Sequence, residues 1–162
     1  MLKPSLEEVK ALAKQYNTIP VFYEFSADNQ TPLNIYTALS KDSRNSFILE
    51  SVSNVVQWDR YSFVGVSPKE EICITGNTAE IRTGDKIETK EVEQPIAFLK
   101  ERMAAYRSPV LEGAPNFTGG LIGYFGYDTV RYMEKKLTHV PEDDIHMPDC
   151  HLFLYEELLA YD

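Results

Sequence analysis

Three histidines, His139, His146 and His151, fall in one stretch with Asp143, Asp144, Asp149 and Cys150. Imidazole, carboxylate and thiolate all bind metals. Their spacing matches no recurring metal site, and the stretch is polar and proline-bearing, so it reads as a solvated loop. Four glycines, Gly119, Gly120, Gly123 and Gly126, invite a nucleotide-binding reading. A dinucleotide fingerprint must follow a strand and open a helix, with an acidic residue about 20 positions later. Here the glycines sit inside a strand pattern, among Leu121, Ile122, Tyr124 and Phe125, where glycine marks a bulge or a close backbone approach. Asp128 and Arg131 read as a local ion pair at a helix start. Glu7 and Glu8 read as a solvated face. There is no GxSxG elbow and no Walker loop. The residues by themselves assign no catalytic group and no metal ligand.

The elements that would position such groups alternate between helices and strands. Ser5 to Tyr16 is predicted helical, with Ser5 as cap, Glu8 completing a capping box, and Leu6, Val9, Leu12 and Ala13 on one apolar face. Ile19 to Phe25 reads as a strand and Asp28 to Gln30 as a turn. Thr31 caps a second helix that runs to Lys41, with Pro32 at its first position. Phe47 to Ser51 and Arg60 to Val66 read as strands flanking a polar loop that holds the single tryptophan, Trp58. A meander follows over Glu71–Thr75, Ala79–Thr83 and Lys86–Val92, with glycine turns at Gly76-Asn77 and Gly84-Asp85. A third helix is expected over Pro95 to Tyr106 and a loop over Ser108 to Asn116. Phe117 to Tyr127 reads as a strand, Asp128 to Met133 as a short helix, residues 134 to 150 as irregular, and Leu152 to Asp162 as a last strand. An apolar strand at the end of a sequence pairs with something further on, a hint of truncation. The parallel βαβ rhythm is absent. The expected fold class is α+β with a largely antiparallel sheet and packed helices, in a single domain over residues 1–162.

Composition bounds the partners. The chain has 162 residues, 43% apolar and 25% charged, enough for a real core and too apolar for disorder. A formal net charge of −9 disfavours nucleic acid and anionic membrane surfaces. No stretch approaches the roughly 20 apolar residues of a membrane span, and the first residues lack the apolar core of a secretory signal. Cys73 and Cys150 lie far apart without CxxC spacing and are expected to be reduced, buried and structural, in a cytoplasmic protein.

Four segments carry a family resemblance: FILES at 47–51, WDRYSFVG at 58–65, FTGGLIGYFGYDTVRY at 117–132, and Pro148-Asp149 leading into LFLY at 152–155. In this order and spacing they resemble the N-terminal region of anthranilate synthase component I, over about Phe22 to Asp162. The FTGGLIGYFGYD run marks chorismate-using synthases, and Thr129-Val130-Arg131-Tyr132 looks more like anthranilate synthase than aminodeoxychorismate synthase. The resemblance implies a place in the α/β sandwich of those synthases. It also implies a reaction turning chorismate and ammonia into anthranilate and pyruvate with Mg²⁺, and a glutamine amidotransferase partner subunit. The family's chorismate and metal ligands lie mainly in a C-terminal part that these residues do not include, so the resemblance places neither catalysis nor a cofactor here.

What it does place here is most of a feedback site for L-tryptophan. By resemblance, Leu49, Glu50 and Ser51 line it, and Arg60, Tyr61, Ser62 and Phe63 form the facing strand. The chemistry suits an amino-acid zwitterion: Glu50 accepts from an ammonium, Ser51 donates and accepts, and Leu49, Tyr61 or Phe63 walls an indole. Two alternatives stand beside it. One is the equivalent region of aminodeoxychorismate synthase, where bound tryptophan would be structural. The other is a free-standing ligand-binding module without chemistry.

Overall fold

The computed structural model describes residues 2–50, 60–134, 136–140 and 142–162. Its elements are α1 (Leu6–Leu12), α2 (Pro32–Leu39), β1 (Ser46–Leu49), β2 (Ser62–Val66), β3 (Glu70–Thr75), β4 (Thr78–Thr83), β5 (Lys86–Glu91), α3 (Pro95–Ala104), β6 (Gly120–Phe125), β7 (Cys150–Tyr155) and β8 (Leu159–Tyr161). All strand pairings are antiparallel. The fold is α+β, as the sequence predicts. Two compact units form: Met1–Ser67 with Ala104–Gly119 and Glu157–Asp162, and Pro68–Met103 with Gly120–Glu156.

The first unit holds a three-stranded sheet in the order β1-β2-β8. Thr31 caps α2 through its side chain, with Pro32 at the helix start, and the helix tightens into a 3-10 turn at Ser40–Asp42. The Ser46 hydroxyl donates to the Tyr36 hydroxyl at 3.2 Å, which sets α2 on one face of the sheet. Val64 on that face is buried. Ser5 and Glu8 form the expected capping box at α1, although the helix stops at Leu12 and Leu6 stays 68% exposed. Ile19 to Phe25 does not become a strand. It contributes an isolated bridge, Lys3 to Phe22, because β propensity yields a strand only where a partner edge is in register.

The second unit holds a five-stranded sheet in the order β5-β4-β3-β7-β6, with α3 on one face. The glycine turns fall as expected, with Gly76 and Gly84 at φ of 56° and 58°. Ile72, Ile74, Ala79, Ile81, Cys150 and Leu152 point to the α3 face and pack with Val92 and Leu99. That alternation is the period-2 pattern of a half-covered sheet. Glycine in β6 does mark a close approach: a Cβ on Gly123 would lie 2.0 Å from the His151 carbonyl oxygen. The predicted last strand divides at the exposed Glu156-Glu157 pair, so β7 joins this sheet while β8 joins the other.

The second unit also ties its loops to one carboxylate. Asp149 accepts from the backbone N–H of Gly76 at 2.6 Å and from the Tyr132 hydroxyl at 2.7 Å. The same tyrosine lies 2.9 Å from the Gly76 carbonyl oxygen. Burial, then the bond to Asp149, pushes the Tyr132 phenol up. The Asp149 carbonyl accepts from the Gly126 N–H at 2.7 Å and from the Thr129 hydroxyl at 3.1 Å. These bonds hold a 3-10 helix over Tyr127–Tyr132 where a short helix is predicted.

Two expected outcomes follow from this packing. Arg102 of α3 reaches Glu70 of β3 with Nε and Nη2 at 3.0 and 2.7 Å, and the Glu70 side chain is only 11% exposed. Arg102→Ala leaves that largely buried carboxylate without its partner, and should cost about 2–4 kcal/mol in urea unfolding. Replacing both partners by Leu and Met should recover most of the loss. The thiols give the second outcome. Cys150 is fully buried, and burial pushes its thiol up to about 11, whereas Cys73 is only part-buried, its thiol also pushed up by burial. At pH 8 a thiol reagent should modify Cys73 slowly and Cys150 only on unfolding.

Candidate functional site

The candidate residues flank the β1–β2 ladder of the first unit. Its register pairs Phe47 with Gly65, Ile48 with Val64 and Leu49 with Phe63, while Phe63 faces Ala160 of β8 on its other side. Residues directly opposite share a face of the sheet. Leu49 and Phe63 therefore stand together with Phe47, Gly65 and Ala160, on the face away from α2. A Cβ on Gly65 would lie 2.2 Å from Phe47 Cε1, so the phenyl ring lies across the strand where only glycine leaves room.

An aromatic strip runs along this face. Tyr61 and Phe63 have ring centroids 6.0 Å apart, and Phe117 meets Phe63 edge-on at 5.4 Å. Such geometry favours the ring quadrupoles as well as burying area. Leu49 stays 44% exposed at the end of β1, and Glu50 follows it in the open. The strip ends on a cation. Arg60 holds its guanidinium 5.1 Å from the Tyr61 ring centroid. The Asp162 carboxylate accepts from Arg60 Nε at 2.7 Å and also from Nη2. This bond raises the arginine further and holds the Asp162 carboxyl below the usual carboxylate range.

Of the seven candidates, the fold brings Leu49, Arg60, Tyr61 and Phe63 into this strip, with Glu50 beside it. Ser62 alternates to the opposite face, paired with Tyr161. Ser51 lies outside the described residues, as does Trp58. Two contributors were missing from the sequence reading. Phe117 is the first residue of the FTGGLIGYFGY run, and its aromatic type was the available signal. Asp162 could be found only through the β2–β8 pairing, which no local pattern reveals.

The histidine-rich stretch gathers no comparable group. His151 Nε2 lies 2.7 Å from Glu71 Oε1 across the β3–β7 ladder, and His146 Nδ1 lies 3.6 Å from Asp143. His139 offers its carbonyl oxygen to Arg131, which also pairs with Asp128 at 2.9 Å. Among the described residues no group of three or more His, Cys, Asp or Glu converges on a point where an ion could sit. No helix among them is long and apolar enough to cross a membrane.

Comparison with known proteins decides the kinship. The chain is 38% identical over its full length to anthranilate synthase component 1 of Acetivibrio thermocellus and covers 32% of that protein. It is 39% identical over 96% of its length to the same component of Pseudomonas aeruginosa, again covering 32%. The chain is a homologue of the N-terminal region of anthranilate synthase component 1. A probable anthranilate synthase component 1 of Schizosaccharomyces pombe is 32% identical over 98% of the chain. The chain thus spans about a third of the length of these relatives. Among solved structures, anthranilate synthase component I from Streptococcus pneumoniae TIGR4 matches 87% of the chain and 29% of its own, with 28% identity and a TM-score of 0.49. No family model matches.

The Phe47–Gly65 contact gives a direct test of the homologue's β1–β2 ladder. Gly65→Ala should displace the Phe47 ring and cost about 1–3 kcal/mol in thermal or urea unfolding, as overpacking does. The double variant with Phe47→Leu should recover part of that.

Proposed function

We propose that this chain is the regulatory N-terminal part of an anthranilate synthase component I and carries its L-tryptophan feedback site. The observation that carries the reading is the strip of Leu49, Tyr61 and Phe63 on one face of the β1–β2 ladder, with Glu50 exposed beside it. Leu49 and the two rings suit an indole, which is planar and apolar with a single donor. Glu50 suits the ligand's α-ammonium through a charge-assisted bond. In this reading the site governs the reaction of chorismate and ammonia to anthranilate and pyruvate, the first step committed to tryptophan. In this reading the chemistry, its Mg²⁺ and most chorismate contacts belong to the C-terminal part, and ammonia comes from a glutamine amidotransferase subunit.

The control step is a population shift. Tryptophan favours one arrangement of this region against the catalytic part, and thereby either lowers chorismate affinity by the coupling free energy or slows turnover. In calorimetric titration the chain should bind L-tryptophan saturably and give no heat with phenylalanine or chorismate. Glu50→Gln should weaken binding by about tenfold or more, as loss of a charge-assisted bond does. In the intact subunit the same change should relieve inhibition and leave the uninhibited rate near normal. Undiminished tryptophan sensitivity in that variant would overturn the assignment.

A further inference from the structure

The five-stranded sheet ends on β5, whose sequence is KIETKE and whose six residues are all exposed. Its inner side is fixed by the ladder to β4. One step beyond the Thr78–Glu91 pair of that ladder, the Val92 N–H donates to the Asn77 carbonyl oxygen at 2.7 Å. Hydrogen-bonded and non-bonded pairs alternate along an antiparallel ladder. The bonded pairs are therefore Ala79 with Lys90, Ile81 with Glu88 and Thr83 with Lys86. Ile87, Thr89 and Glu91 turn their N–H and C=O groups the other way, off the edge of the sheet. A row of such groups is a template for another strand.

Charge decides which strand fits. Glu88 and Lys90 share a face of the sheet, with Lys90 Nζ 3.0 Å from Glu88 Oε1. We propose that β5 recognises itself, pairing antiparallel with the β5 of a second copy of this chain about a twofold axis through Thr89. In that register Glu88 stands opposite Lys90 of the second copy, and Lys90 opposite its Glu88. Both are non-bonded pairs, the more closely set kind, and opposite charges facing one another across a ladder attract. On the other face Thr89 meets Thr89, and Ile87 meets the stem of Glu91. These residues exchange the outward main-chain bonds, so one sheet runs through both copies. Neighbouring registers fit worse. An axis through Glu88 sets that residue against its own copy and Lys86 against Lys90, and like charges directly opposite repel. An axis through Lys90 sets two lysines face to face. An axis through Ile87 runs the pairing into the Gly84-Asp85 turn. A single ladder of this length buries little area, so the association is weak and concentration-dependent. The tryptophan reading has no part in it.

Analytical ultracentrifugation of the chain over a range of concentrations tests this, with far-ultraviolet dichroism confirming the fold of each variant. The parent should show a reversible monomer–dimer equilibrium. Glu88→Lys and Lys90→Glu alter exposed side chains, and each should weaken the dimer at least about tenfold by turning attractive pairs repulsive. Combining the two exchanges in one chain should restore the dimer, and so should mixing the two single variants. Thr89→Pro should abolish it while keeping the ladder to β4, because proline there removes only an outward N–H. Under mild oxidation Thr89→Cys should cross-link two copies, with the parent as control for Cys73. Ile87→Cys should not, because its two copies lie about 13 Å apart in this register. A parent chain that stays monomeric throughout overturns the proposal. So does a dimer that persists in Glu88→Lys and Thr89→Pro, or one that the combined exchange fails to restore. Cross-linking through Ile87→Cys in place of Thr89→Cys overturns it as well.

Discussion

The candidate site depends on one register, that of β1 against β2. Side chains alternate with period two along a strand, so a slip of one residue would send Leu49 and Phe63 to opposite faces. What pins the register is steric as much as hydrogen-bonded. The Phe47 ring occupies the space over Gly65, and no neighbouring residue of β2 could accept it there. On the other face, Val64 is buried beneath α2 and enforces the same alignment from below. Phe63 is then flanked on both sides, by Leu49 and Ala160, and capped by the edge of Phe117. The strip is a consequence of that alignment.

Much of the architecture was legible because it is local. Capping at Ser5 and Thr31, the glycine turns of the meander and the alternation of Ile72 and Ile74 each depend on residues a few positions apart. The kinship was legible for a different reason. The segments that carry it, GYFGYDTVRY and Pro148-Asp149, turn out to be one another's partners, with Gly126, Thr129 and Tyr132 all bonded to Asp149. The sequence displays both segments but not that pairing, so their physical reason appeared only once the chain was folded.

The misread segments share a cause. Ile19 to Phe25 has strand composition but finds only a single bridge, and Leu152 to Asp162 reads as one apolar run yet serves two sheets. Strand identity is settled by the neighbouring edge, which lies far away in sequence. Ser62 stands apart from the strip through the same physics: it sits between Tyr61 and Phe63 in sequence but turns to the other face, opposite Tyr161. Asp162 was invisible because its relation to Arg60 spans nearly two thirds of the chain.

The acidity of the chain bears on the site in a way net charge conceals. A formal charge of −9 would repel a carboxylate at long range, yet a zwitterion is neutral overall and feels only the local arrangement. Asp162, on a residue joined directly to β8, accepts from Nε and Nη2 of Arg60. An exposed carboxylate at the end of β8 thus holds the cation at the end of the strip. The register that builds the aromatic strip and the β2–β8 pairing that brings Asp162 to Arg60 are therefore parts of one sheet.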